Sequence, residues 1–229
     1  MGTHIWAKFP PDHTFHGKRV LNVGCGYGQF KAPNVVNLDA EAICEPNVVW
    51  DLSKTPLPFD DNSFDVVIAN HILEHVPNWW RCFEDFSRIL VEGGKVVVYV
   101  PGVGSDSVLG YRDHINTINR CSFYGTYGTY RNGSNAWAEE NRKGGANRLK
   151  LVGEEYVTYG ISWLKYAPLF VRKWCVNHLR NAVIENGYIF RKVTEQEFQE
   201  EEQRARGNRD GRRVIQLPVV SSPGFGRGH

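Results

Sequence analysis

Five short runs rich in β-branched residues recur between turn signals from Lys18 to Pro101: RVLNV, NVVNL, NVVW, FDVVIAN and KVVVYV. Near-continuous apolar strands of this kind suit a parallel sheet covered on both faces. One crossover is legible. Trp79, Phe83, Phe86 and Leu90 recur at helical spacing between the last two runs, with Pro77 suited to the first turn and Gly93 with Gly94 suited to the stop. The connections after the first three runs are too short for full-length helices. The expectation is therefore an α/β fold, a Rossmann-like and mostly parallel sheet of at least five strands with shortened early helices and a variable C-terminal insertion.

At 229 residues, the chain is long enough for one sizeable core and too short for two full independent domains. Residues 1–17 are polar, with Pro10 and Pro11, and form a leading segment. Residues 18–101 form the core, 102–194 an insertion or lid and the completion of the same domain, and 195–229 a flexible charged tail that turns from acidic to Arg- and Gly-rich. Within the third part, residues 102–160 show no sustained period and read as a long loop. Residues 168–186 read as a second helix with a stripe of Val171, Cys175, Leu179, Ala182 and Val183, ended by Gly187. A net charge of +2 is too small to argue for a nucleic-acid partner. The five cysteines show no C-x-x-C pair and fit a reducing compartment. The absence of an apolar leader or of any run approaching a membrane span reads as a soluble, cytoplasmic protein without membrane contact.

The segment VLNVGCGYG runs a strand into Gly24, Gly26 and Gly28. Glycines there allow a sharp turn and let backbone N–H groups approach a ligand closely. The spacing is G-x-G-x-G rather than the dinucleotide G-x-G-x-x-G, which speaks against a nicotinamide oxidoreductase, as does the short first crossover. The second strand ends at Asp39, where a carboxylate can accept both hydroxyls of a ribose. The third ends at Asp51 and Leu52, an acceptor for an adenine amino group beside an apolar wall.

In order with PLPFDDNSFDVVIANHILEHV and RILVEGGKVVVYVPG, these elements resemble the class I S-adenosylmethionine-dependent methyltransferases, in particular the methyltransferase type 11 group. The resemblance covers residues 18–101. It implies S-adenosyl-L-methionine as cofactor, with Gly24, Gly26 and Gly28 against its methionine part, Asp39 on the ribose, Asp51 and Leu52 on the adenine, and Asn70 lining the methionine end. Asn22 stands where many members carry an acid that helps hold the amino group; an amide there loses the charge-assisted part of that bond. Cys25, between two glycines, reads as a small filler rather than a nucleophile.

HILEH matches the H-x-x-E-H zinc pattern of certain peptidases, but it directly follows a strand and precedes Pro77, so that reading is set aside. The same segment resembles the E-x-x-E-H element of metal-dependent O-methyltransferases, with His71 in place of the first acid. That replacement speaks against a hard cation such as Mg²⁺, and no metal ligand is assigned. Three uses of the segment stay open: a structural or capping role, a general base at His75 or His71, and a metal site; His114, in YRDHINTINR, reads as a loop residue, with a third ligand or a substrate contact as the alternatives. His75 is the better base candidate, because the segment after the fourth strand lies beside the methyl donor.

The expected activity is methyl transfer to an oxygen or nitrogen nucleophile on a small molecule or glycan, ahead of nucleic acid or protein. Trp137 and the tyrosines of the insertion are candidates for stacking on a sugar or base. The alternatives are a cofactor-binding sensor or partner subunit without turnover, and a nucleic-acid methyltransferase.

Overall fold

The computed structural model describes residues 17–123 and 148–200. The leading segment to residue 16, residues 124–147 with Trp137 and the insertion tyrosines, and the Arg- and Gly-rich stretch after residue 200 lie outside the described residues.

The strands are β1 (Val20–Val23), β2 (Val35–Asp39), β3 (Val48–Val49), β4 (Phe64–Asn70), β5 (Leu90–Pro101), β6 (Leu149–Thr158) and β7 (Glu185–Lys192), and they form one sheet in the order β3-β2-β1-β4-β5-β7-β6. The first five are parallel. β7 inserts antiparallel between β5 and β6. This is the Rossmann-like sheet expected from the β-branched runs. The shortened early crossovers are present too: a single 3₁₀ turn, Ala42–Cys44, links β2 to β3.

Burial on both faces explains the apolar continuity of the central strands. Leu21, Val67, Ala69, Val96 and Val98 point into the main core, while Val20, Val66, Ile68 and Val97 form a smaller cluster on the opposite face. The main core is closed by α1 (Trp79–Ile89), whose buried positions Trp79, Cys82, Phe83, Phe86 and Ile89 follow the helical period. Phe83 packs edge-on against Phe190 of β7 at 4.9 Å, and Phe123 fills the gap between them at 5.2 Å and 4.8 Å. Each such ring contributes about 1.5–3 kcal/mol by leaving water.

Three sequence-based boundaries are corrected. α1 stops at Ile89, not at the glycines; Gly93 and Gly94 lie inside β5, where pairing with β4 jumps from Phe64↔Leu90 to Val66↔Lys95. Gly93 has φ +76°, and a Cβ at Gly94 would stand 2.8 Å from the Val91 carbonyl oxygen, so the irregular stretch itself demands both glycines. The helix expected over 168–186 ends at His178; with α2 as Asp106–Gly110, it is α3 (Leu169–His178). Val171 and Cys175 share a cluster with Ala182, which arrives by the loop after the helix, and Gly187 pairs inside β7 rather than capping anything. Finally, β6 forms within the stretch read as an unstructured insertion. Among the described residues, no helix is long and apolar enough to cross a membrane.

The PLPFDD segment is fastened to α1 by a polar hub. Arg88 donates to both Asp85 oxygens, at 2.6 Å and 3.0 Å, and to the carbonyls of Leu57 and Phe59. Asp85 also accepts the Leu57 N–H at 2.6 Å. Replacing Arg88 by Met strands a largely buried carboxylate, so Arg88→Met is expected to lower stability by about 3 kcal/mol, read as a fall in the denaturant midpoint at unchanged slope.

Candidate functional site

In a parallel sheet, ligands bind outside the carboxyl ends of the strands where the strand order reverses. Here that point lies between β1 and β4. The loop leaving β1 holds Gly24 at φ +62° and Gly26 at φ +50°. A Cβ on Gly24 would stand 2.3 Å from Ile72 Cγ1, so the loop after β1 lies directly on the loop after β4. At Gly26 no described atom lies within 4 Å of a Cβ position, which leaves the loop's surface open to close approach. Gly28 differs: its φ is not positive and a Cβ would make only ordinary contact, 3.5 Å from the Cys25 carbonyl oxygen. Burial, aided by the charge of Asp39, pushes the Cys25 thiol up to about 11, which suits a filler and not a thiolate nucleophile.

Asp39 ends β2 beside this loop. Its Oδ2 accepts the Gly26 N–H at 2.7 Å and its Oδ1 the Glu41 N–H at 2.9 Å. Each oxygen keeps a second lone pair, so the pinned carboxylate can still accept two hydroxyls. Asn22 is 3% exposed, and its Nδ2 donates to Asn37 Oδ1 at 3.0 Å. Asn37 in turn ties to both the N–H and the carbonyl of Phe30, so Asn22 supports the loop from beneath. Asp51 is exposed and accepts the Ser53 N–H at 2.9 Å, which holds its carboxyl below the usual range. Leu52 is 5% exposed and belongs to the main core, so the apolar wall expected from its side chain is mostly turned inward. Asn70 stands half-buried at the end of β4, paired with Tyr99.

The chain leaves β4 through His71, at φ +50°, whose N–H donates to the Tyr99 carbonyl at 2.9 Å. Only Leu73–His75 is helical, as one 3₁₀ turn, so His71 and His75 do not share a helix face. His71 Nδ1 meets Glu74 Oε1 at 3.2 Å, and Nε2 meets Glu185 Oε1 at 2.7 Å. Burial works against its charged form, but Glu185 and Glu74 outweigh that and lift its pKa to about 9. His75 Nδ1 faces the Asp113 carbonyl oxygen at 3.0 Å. A carbonyl can only accept, so Nδ1 carries the proton and Nε2 of the neutral ring keeps its lone pair. His114 stacks against Tyr111 and meets His75 edge-on at 4.7 Å.

Asn116 makes this meeting possible. Its N–H donates to the Glu74 carbonyl at 3.0 Å, and its side chain donates to the carbonyls of Leu73 and Val76. Asn116, Asp113 and Glu185 had no signal in the local sequence pattern, since each acts on residues far away in the chain.

Residues 21–98 match a family described as a methyltransferase domain. The chain is 35% identical over 101 residues to the uncharacterized protein MJ0638 of Methanocaldococcus jannaschii, covering 39% of this chain and 43% of that protein. It is 25% identical over 142 residues to the sterol 4-C-methyltransferase strm-1 of Caenorhabditis elegans, covering 52% of this chain and 41% of that enzyme. The chain thus spans less than half the length of these relatives. A solved S-adenosylmethionine-dependent methyltransferase from Archaeoglobus fulgidus shares the fold with a TM-score of 0.53 at 18% identity, over 78% of this chain and 88% of that one. The family match falls on residues 21–98, which carry most of the parallel strands, and the sheet has the fold of that solved methyltransferase. At the carboxyl ends of these strands an open glycine loop stands beside a carboxylate with spare lone pairs.

The two loop glycines should respond unequally. Gly24→Ala combines a left-handed backbone, costing about 1–2 kcal/mol, with an overlap on Ile72 that costs about 1–3 kcal/mol more, whereas Gly28→Ala is expected to stay within about 0.5 kcal/mol. Thermal unfolding of the two variants beside the parent checks the contrast.

Proposed function

We propose that this chain is an S-adenosylmethionine-dependent methyltransferase acting on an oxygen or nitrogen nucleophile, with a small molecule or glycan as acceptor ahead of nucleic acid or protein. The observation that carries the reading is the convergence of the open glycine loop, the pinned Asp39 and the end of β4 at one sheet edge. When bound, the cofactor supplies an electrophilic sulfonium methyl group.

In this reading, the backbone of Gly24, Gly26 and Gly28 borders the methionine part and Asn70 lines the same end. The remaining lone pairs of Asp39 take the ribose hydroxyls. Asp51, exposed and held ionised by the Ser53 N–H, accepts from the adenine amino group, with the Leu52 segment beneath it. Asn22 acts through Asn37, steadying the loop rather than reaching the ligand itself. Holding donor and acceptor in line supplies most of the acceleration. Proton removal from the acceptor falls to His75, whose Nε2 keeps a lone pair, and not to His71, whose two ring nitrogens are engaged by Glu74 and Glu185. A proton acceptor at this edge suits an O–H or N–H nucleophile. The resemblance to a sterol methyltransferase is in keeping with a small acceptor.

Calorimetric titration with S-adenosylmethionine and S-adenosylhomocysteine tests the reading. Both should bind, and Asp39→Ala should weaken them at least about tenfold, the worth of one charged hydrogen bond. His75→Ala should leave that affinity intact and lower turnover by about 10²–10⁴. Folded protein that binds neither ligand overturns the proposal; binding without turnover across an acceptor panel makes the chain a cofactor-binding subunit.

A further inference from the structure

Beyond the cofactor loop, the sheet edge carries a second constellation. Glu74, His75 and His114 each bring a donor atom within 4.8 Å of the other two. Glu74 is 1% exposed; its Oε1 is taken by His71, and its Oε2 is buried with no hydrogen-bond partner among the described residues. Nδ1 of His114 is likewise buried without a partner. Nδ1 of His75 is spent on the Asp113 carbonyl, which fixes the tautomer that leaves Nε2 open. Three residues from two loops therefore each bring a ligand atom to one place, and two of the three carry a buried polar atom without a hydrogen-bond partner among the described residues. Buried carboxylate and imidazole atoms are ordinarily hydrogen-bonded, and a cluster of orphans calls for a common partner.

We propose that Glu74, His75 and His114 form a binding site for one divalent transition-metal ion. Two imidazole nitrogens and one carboxylate oxygen favour Zn²⁺, Co²⁺, Fe²⁺ or Mn²⁺ over Mg²⁺ or Ca²⁺, which take oxygen. Bonds of about 2.1 Å set tetrahedral ligand atoms about 3.4 Å apart, so the side chains draw together by about an ångström when the ion enters. The supports that orient metal ligands are already built: the Asp113 carbonyl behind His75, His71 behind Glu74, Tyr111 stacked on His114, and Asn116 clamping the two loops. His71 itself stays outside the ligand set, because Glu74 and Glu185 occupy both its nitrogens.

Three protein ligands leave coordination positions open, as in catalytic rather than structural sites. The ion's use rests on the methyl-transfer reading: an acceptor hydroxyl bound there loses its proton more readily, and the oxygen stands beside the loop that follows β4. Metal and proton compete for Nε2 of His75, so in the loaded protein the ion takes over the acidifying role. The site's existence does not rest on that reading.

The test uses the full chain, stripped with chelator and titrated with Co²⁺ and Zn²⁺ alone, without cofactor or acceptor. The expected result is one ion per chain, visible Co²⁺ absorption bands of an imidazole and carboxylate site without thiolate charge-transfer intensity, and no saturable Mg²⁺ uptake. Glu74→Gln and His114→Ala should each weaken uptake at least tenfold, while His178→Ala on α3 leaves it unchanged. His114 stands on a half-exposed loop, so its variant carries the test if Glu74→Gln fails to fold; melting in chelator verifies both. No stoichiometric uptake, thiolate-type spectra, or uptake undiminished in the folded variants overturns the site. Because the readout is metal binding, it succeeds or fails independently of methyl transfer.

Discussion

The contact between Gly24 and Ile72 is the constraint on which the functional edge depends. β1 and β4 are parallel neighbours, and their carboxyl ends emerge side by side. The two loops that leave them can lie together only because position 24 carries no side chain. Ile72 stands between the left-handed turn at His71 and the 3₁₀ turn that presents Glu74 and His75. Seating the glycine loop therefore also seats the imidazole and carboxylate cluster. The far side of that cluster is fixed by the His71 N–H on Tyr99 and by Glu185, delivered where β7 pairs with the end of β5. Cofactor loop and cluster behave as one mechanical unit assembled from three strand ends.

The first crossover carries no regular helix, and polar side chains make up for it. A full helix after the glycine loop would add its N-terminal dipole to the site. Instead the Gly26 N–H is satisfied by Asp39, and the loop is braced from below by an amide relay: Asn22 to Asn37, with Asn47 accepting from the Asn37 backbone and side chain. Unpaired, the buried amides of Asn22 and Asn37 would each be destabilising; paired with each other and with the exposed Asn47 on the approach to β3, they lock the register Asn22↔Asn37. This is why two otherwise apolar strands read VLNV and VVNL.

What the sequence reveals follows the range of the interactions involved. The five parallel strands are legible because each is a local run of β-branched residues, and α1 because Trp79, Phe83 and Phe86 repeat at its period. Gly24, Gly26 and Asp39 are legible because turn chemistry and strand ends are local too. The late helix is overextended because Ala182 returns to the cluster of Val171 and Cys175 by a loop, and a loop that happens to bring an apolar residue home mimics another helical turn. β6 escapes because it is the last strand at the sheet's edge and its run is broken by Gly153 and the two glutamates after it. Glu185, Asp113 and Asn116 escape because their partners lie far off in sequence, and periodicity carries no record of such pairs.

His71 shows how one substitution reorganises a polar site. An acid at this position would face Glu74 and Glu185 as a third carboxylate at close range, and the three would repel or share protons. An imidazole offers one nitrogen to each neighbour and converts two repelling groups into a linked row, Glu185 to His71 to Glu74. That row divides the oxygens of Glu74: Oε1 is held by His71, and Oε2 is left without a partner. The histidine thus gives up any role as a donor of its own lone pairs and instead aims a carboxylate, which is the work of a positioning residue. The same division sets the character of the edge, where Glu74 Oε2 and His114 Nδ1 are left without partners among the described residues and one nitrogen of His75 is taken by the Asp113 carbonyl.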